Sequence, residues 1–133
     1  MKGKWAEGIE PRNFVWVIKD SLAICERPGG YGEHHRRVRR QEEIIWVRQH
    51  QFDVLYSLIA GSHNLHNYEE LGMPFRHRPW PLHDQLAQYM EVFFTEIHGA
   101  IAGGLKVLVH KEEVGERLCG LMAAYLLWAG LVP

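Results

Sequence analysis

Cysteine is scarce in this chain. Cys25 and Cys119 are the two in 133 residues, which allows at most one disulfide and excludes a disulfide-stapled secreted scaffold. A domain of this length buries an adequate core without staples, and the expected setting is the reducing cytoplasm. Charge of one sign is missing as well. Fifteen Lys and Arg stand against sixteen Asp and Glu, a formal net charge of −1 at pH 7, so no whole-molecule field recruits nucleic acid or an anionic membrane. The longest apolar stretch, Leu118 to Val132, is too short for a bilayer span and is broken by Gly120 and Gly130. The first eleven residues carry charge and glycine but no apolar core of a secretory signal. No repeat, low-complexity tract or Pro/Ser linker divides the chain, so residues 1–133 read as one domain.

What is present is the balance of an ordinary globular protein, 47% hydrophobic and 23% charged residues. Phe14–Ile18 is β-branched and aromatic, a first strand, and Leu22–Cys25 follows after a polar turn. Arg27–Gly32 can only be a loop. Val38–His50 reads as a helix that buries Ile44, Ile45 and Val47, and Val54–Ile59 as a strand. A short helix over Asn64–Leu71 stops at Gly72, and a short strand over Phe75–Arg78 precedes the Pro79-Trp80-Pro81 break. The strongest periodicity lies beyond it: Leu86, Met90, Phe93, Phe94, Ile97 and Ile101 share one helical face, with Asp84 as its cap. Leu105–Val109 is a buried strand. Arg117–Ala129 is apolar on nearly every face, which predicts the most buried helix, with Cys119 inside the core. Strands alternating with helices predict an α/β domain: a central, mostly parallel sheet of four or five strands with helices on both faces.

One stretch carries most of the functional information. Val107–His110 runs as a buried strand into the loop Lys111-Glu-Glu-Val-Gly-Glu116, and Arg117 opens a helix. Backbone N–H groups and the dipole of such a helix start favour an anion. The stretch resembles the signature of the cysteine-based protein phosphatases, in particular small bacterial and archaeal dual-specificity phosphatases. In that signature a strand ends in His-Cys, and five loop residues lead to an arginine. His110 matches the histidine and Arg117 the phosphate-gripping arginine. The likeness extends to Asn13–Ile18 with Leu22-Ala23 and Arg27-Pro-Gly29, to Val54–Leu58, and to Met122–Leu126.

The resemblance implies a phosphatase-like fold over the whole chain and an anion-binding loop of His110, Lys111, Glu112, Glu113, Val114, Gly115, Glu116 and Arg117. It also exposes departures. The nucleophilic cysteine is Lys111, a loop glycine is Val114, the Ser/Thr after the arginine is Leu118, and the general-acid position falls on Leu82, with Asp84 close by. The family also continues past residues 130–133. A protonated amine cannot form a phosphocysteine intermediate. Lys111 therefore reads as a residue that removed the nucleophile, as one half of an anion clamp with Arg117, or as an amine nucleophile for which nothing else in the sequence assembles a site. In the family the intervening loop side chains point outward, so Glu112, Glu113 and Glu116 are expected on the rim.

The resulting expectation is a pseudophosphatase that acts by binding a small anion or a protein partner, without a cofactor. One alternative is a phosphoester hydrolase using Asp84 or His83 as acid/base with Lys111 and Arg117 as clamp. Another is a structural subunit or oligomer completing another chain through apolar surface. The basic run His34–Arg40 reads as a solvated helix start paired with Glu42 and Glu43 rather than a nucleic-acid patch. His63, His66, His77 and His83 match no tight metal-ligand spacing, so no metal is expected. Trp80 reads equally as a core plug or a recognition aromatic.

Overall fold

A computed structural model describes residues 8–30, 37–62 and 64–132. It contains strands β1 (Val15–Ile18), β2 (Leu22–Glu26), β3 (Val54–Ser57), β4 (Phe75–His77) and β5 (Val107–Lys111). The helices are α1 (Arg37–Gln49), α2 (Leu65–Glu70), α3 (Leu86–Ala102) and α4 (Glu116–Trp128). The five strands form one sheet in the order β1-β2-β5-β3-β4. Only β1 runs antiparallel; β5 pairs in parallel with both β2 and β3. The predicted α/β architecture is what the chain adopts; the central strand is β5, which starts two residues later than expected and leaves Leu105 exposed.

Alternation along the strands sends side chains to two separate cores. On one face Leu22, Ile24, Tyr56, Val107 and Val109 pack with Phe93, Phe94 and Ile97 of α3 and with Leu118, Leu121, Met122 and Tyr125 of α4. On the other, Ala23, Cys25, Leu55 and Leu108 pack with Ile44 and Val47 of α1 and with Tyr68 of α2. Both cysteines are free, Cys25 buried and Cys119 exposed.

α4 has the most buried residues of the described helices, as expected, with Leu118, Leu121, Met122 and Tyr125 buried. Three expectations need correction. Cys119 and Leu127 face outward, so Cys119 is not a core residue. The α4 sequence is apolar all round, but its packed side is the one toward α3 and the sheet. Asp84 does not cap α3: it sits in a 3-10 turn, His83–Gln85, and the residue before the helix is Gln85, without a side-chain cap. Finally, Glu43 is not solvated. It is 1% exposed, and its carboxylate accepts the Gly29 N–H at 3.0 Å and pairs with Arg39. Of the remaining sequence readings, residues 31–36 of the glycine loop and basic run, and His63, lie outside the described residues.

Candidate functional site

The carboxyl ends of the parallel strands gather the residues singled out in the sequence, which is where open α/β sheets place their ligands. Lys111 ends β5, four bends follow, and Gly115 precedes α4. Odd-numbered β5 residues face the α3–α4 side, so Lys111 points that way, and His110 points to the α1–α2 side.

His110 is fully buried beneath the loop. Its Nδ1 faces the Lys111 carbonyl at 3.4 Å and its Nε2 lies 2.8 Å from the Tyr68 hydroxyl. Burial, chiefly, lowers its pKa to about 4, with Arg27 and His77 adding to the fall against the Lys111 carbonyl. The ring is therefore neutral: Nδ1–H donates to the carbonyl and Nε2 accepts from Tyr68. Burial likewise pushes the Tyr68 phenol far up, so it stays a donor. The Asn64 amide donates to the Tyr68 oxygen at 3.4 Å and to the Pro28 carbonyl at 2.8 Å. Asn64 holds a left-handed φ of 72°, which an asparagine tolerates better than most residues. This buried chain joins the end of β2, the start of α2 and the loop after β5. His110 is legible in the sequence as part of the loop signature, whereas Tyr68 and Asn64 are not, since neither lies near the loop in sequence.

Lys111 is only 15% exposed. Its Nζ lies 3.6 Å from a Glu112 carboxylate oxygen, an ion pair longer than a hydrogen bond, and 4.9 Å from the centre of the Trp80 ring. With Glu112 42% exposed, the pair is worth about 0.2–1 kcal/mol. A partly desolvated cation–π contact is worth about 0.5–2 kcal/mol, so the ring holds the ammonium at least as firmly as the carboxylate does. Trp80 itself is half-buried, packs on the α3–α4 core and contacts Tyr89. It is neither a simple plug nor a free aromatic; it is a platform for Lys111.

A cleft of about 430 Å³ opens over the loop, lined by Lys111, Glu112, Glu113, Gly115, Glu116, Arg117 and Leu118. The three glutamates line it rather than standing outside on the rim. A Cβ on Gly115 would sit 3.7 Å from the Glu113 carboxylate, which therefore lies against the helix start. Two cations and three carboxylates share one space, so the field that the helix start and the cations create is largely cancelled from within. Among the described residues Arg117 is exposed and has no ion-pair or hydrogen-bond partner. Two members of the expected loop set do not line the cleft: His110 lies under it, and Val114 packs against the α3–α4 core.

A second cleft, of about 510 Å³, adjoins the first. Trp80, Leu82 and His83 form one wall, Leu86 and Met90 of α3 the next, and Glu116, Arg117, Gly120 and Leu121 of α4 the third. Leu82 is 70% exposed, whereas Asp84 lines neither cleft. Cys25 lies on the opposite face of the sheet; burial, then Glu43 and Glu26, push its thiol pKa well up, so it is no thiolate. Among the described residues no group of three His, Cys, Asp or Glu side chains is placed to hold a metal ion. None of the described helices is long and apolar enough to cross a membrane.

No protein-family model and no curated protein sequence matches the chain. Solved structures do. Kinase-associated phosphatase, in a form whose catalytic-site cysteine is replaced by serine, superposes with a TM-score of 0.71 at 18% identity, over 89% of this chain and 74% of that one. A mutant form of Tk-PTP gives 0.63 at 20% identity over 90% and 73%. A candidate phosphatase (DUF442) from Shewanella putrefaciens CN-32 gives 0.62 at 21% identity over 92% and 76%. With β5 at the centre, parallel neighbours on both sides and a loop leading into α4, the chain has the fold of these phosphatases.

Proposed function

We propose that this phosphatase-fold domain acts by binding and does not carry out cysteine-based phosphoryl transfer. The observation that carries the reading is Lys111. It stands where the resemblance puts the nucleophile, and its ammonium is engaged by Glu112 and Trp80. A protonated amine held in this way is no nucleophile. Neither cysteine lines the cleft, and the wall that would present a general acid presents Leu82. What remains of phosphate chemistry is Arg117, the helix start and the cleft over the loop, which suit a small anion once Glu112 swings away from Lys111.

The test has two arms. Aryl phosphates and phosphotyrosine peptides show no hydrolysis above a buffer blank. Turnover at enzymatic rates that vanishes in Arg117→Ala would overturn the proposal and establish a non-cysteine mechanism. In thermal unfolding, millimolar sulfate or tungstate stabilises the Glu112→Gln variant more than the unsubstituted protein, relative to chloride at equal ionic strength. Equal responses would remove the anion from the reading.

A further inference from the structure

Beside the phosphatase-like loop lies a second cleft that shares Glu116 and Arg117 with it. We propose that the cleft between α3 and α4 binds an amphiphilic monocarboxylate, its apolar body on Gly120, Met90, Leu86 and Leu82 and its head on Arg117. This goes beyond the binding reading above: the head is not a phosphate, Lys111 plays no part, and Arg117 is the cation that the two readings share.

Three features lead to this ligand class. The cleft's volume, about 510 Å³, falls within the range of small-molecule sites, roughly 300–1,000 Å³. Its walls are aromatic and aliphatic, with Trp80, Leu82, Leu86, Met90 and Leu121, and the polar groups are few: His83, Glu116 and Arg117. A large apolar recess with a small number of polar groups at its mouth orients a ligand with one charged end. A Cβ on Gly120 would meet nothing within 4 Å, so the floor is bare backbone with open space above it. Glycine inside a helix costs about 0.5–1 kcal/mol against alanine, and here it keeps the cleft open.

Charge selects the head group. Arg117 is exposed and unpartnered among the described residues, and a guanidinium matches a carboxylate with two parallel N–H donations. Glu116 lines the same mouth. One fixed cation beside one fixed anion accepts a single negative charge and penalises a second, so a monoanion is preferred to a phosphate dianion.

Isothermal titration of the full chain at pH 8 with 2-naphthoate tests the proposal, with 2-naphthalenemethanol as the uncharged body, acetate as the head alone, and 2-naphthyl phosphate as the dianion. The expected result is measurable binding of 2-naphthoate. The alcohol and acetate each bind at least about tenfold more weakly, as loss of a charge-assisted contact or of the apolar body requires, and the dianion also binds more weakly. Gly120→Leu projects a side chain into the cleft from a position whose Cβ meets nothing within 4 Å and favours the helix, and Arg117→Ala removes an exposed side chain, so both variants fold. Each lowers 2-naphthoate affinity by about tenfold or more. Undetectable binding at millimolar 2-naphthoate, or affinity unchanged in Gly120→Leu, overturns the proposal. Tightest binding by 2-naphthyl phosphate, insensitive to Gly120→Leu, places the ligand in the loop cleft instead. Hydrolysis of that phosphate would sink the binding-only reading and leave this one standing.

Discussion

Lys111 is tied into its surroundings. Its contacts with Trp80 and Glu112 mean that placing a thiol there disturbs neighbours that hold an ammonium. In a Lys111→Cys variant Arg117 and the helix start lower the thiol pKa, whereas three lining glutamates raise it. On the phosphatase resemblance Val114 takes the place of a loop glycine and Leu82 that of the general acid, and a leucine cannot protonate a leaving oxygen. General acid catalysis is worth about 10²–10⁴-fold, so the single variant stays feeble even on aryl phosphates. Adding Leu82→Asp recovers more, chiefly for alkyl leaving groups, and tolerates the change because Leu82 is exposed. Adding Val114→Gly recovers loop geometry at a cost of about 1–3 kcal/mol of stability, because Val114 packs on the core. Steady-state rates on paired aryl and alkyl phosphates check the series. Family-like turnover of alkyl phosphates by Lys111→Cys alone would mean that another acid, with Asp84 the nearest, already serves.

At the scale of elements, period was a better guide than charge. Strand and helix positions followed from alternation and 3.6-residue repeats, and the observed bounds lie within a few residues of them. The central place of β5 followed from its unbroken apolar run. The phosphatase-like loop was legible because its residues are consecutive. Tyr68, Asn64 and Trp80 were not, because their roles come from β3, β4 and β5 lying side by side, which no local pattern encodes. Glu43 was misread for a different reason. A glutamate four residues after an arginine reads as a surface pair, yet here the carboxylate is buried, accepts the Gly29 N–H and ties α1 to the loop after β2, while Arg39 stays partly exposed. Removing it strands a buried donor and a cation together. Glu43→Ala therefore lowers unfolding free energy by about 2–4 kcal/mol, and Glu42→Ala by less than about 1 kcal/mol. Urea titrations of both variants measure the contrast, and similar losses would return Glu43 to the status of a surface residue.

For the molecule as a whole, acid should be a weak point. The chain has nine histidines; among the described residues His110 is fully buried and held neutral at the centre of the fold, its pKa lowered to about 4 mainly by burial. Unfolded, it titrates near 6.5. Above that pH neither state carries the proton and His110 adds no slope. Between about 6.5 and 4 the unfolded chain binds a proton that the folded one refuses, so stability falls as pH falls, by on the order of 3 kcal/mol. Urea unfolding at pH 7 and pH 4.5 measures the loss. In His110→Gln, which keeps a donor and an acceptor for its neighbours, the loss is smaller. Identical losses in the two proteins would show that His110 takes up its proton inside the fold.

The strand order also fixes a timetable. β2 and β3 do not pair with each other; both pair with β5, the last strand among the described residues. On the ribosome, at about 5–20 residues per second, the segments of β1–β2 and β3–β4 emerge before the strand that joins them. Leu108 and Val109 then complete the sheet, followed by the apolar face of α4. Until β5 arrives, the edges it covers have no partner, the condition under which nascent sheets pair with the wrong neighbour.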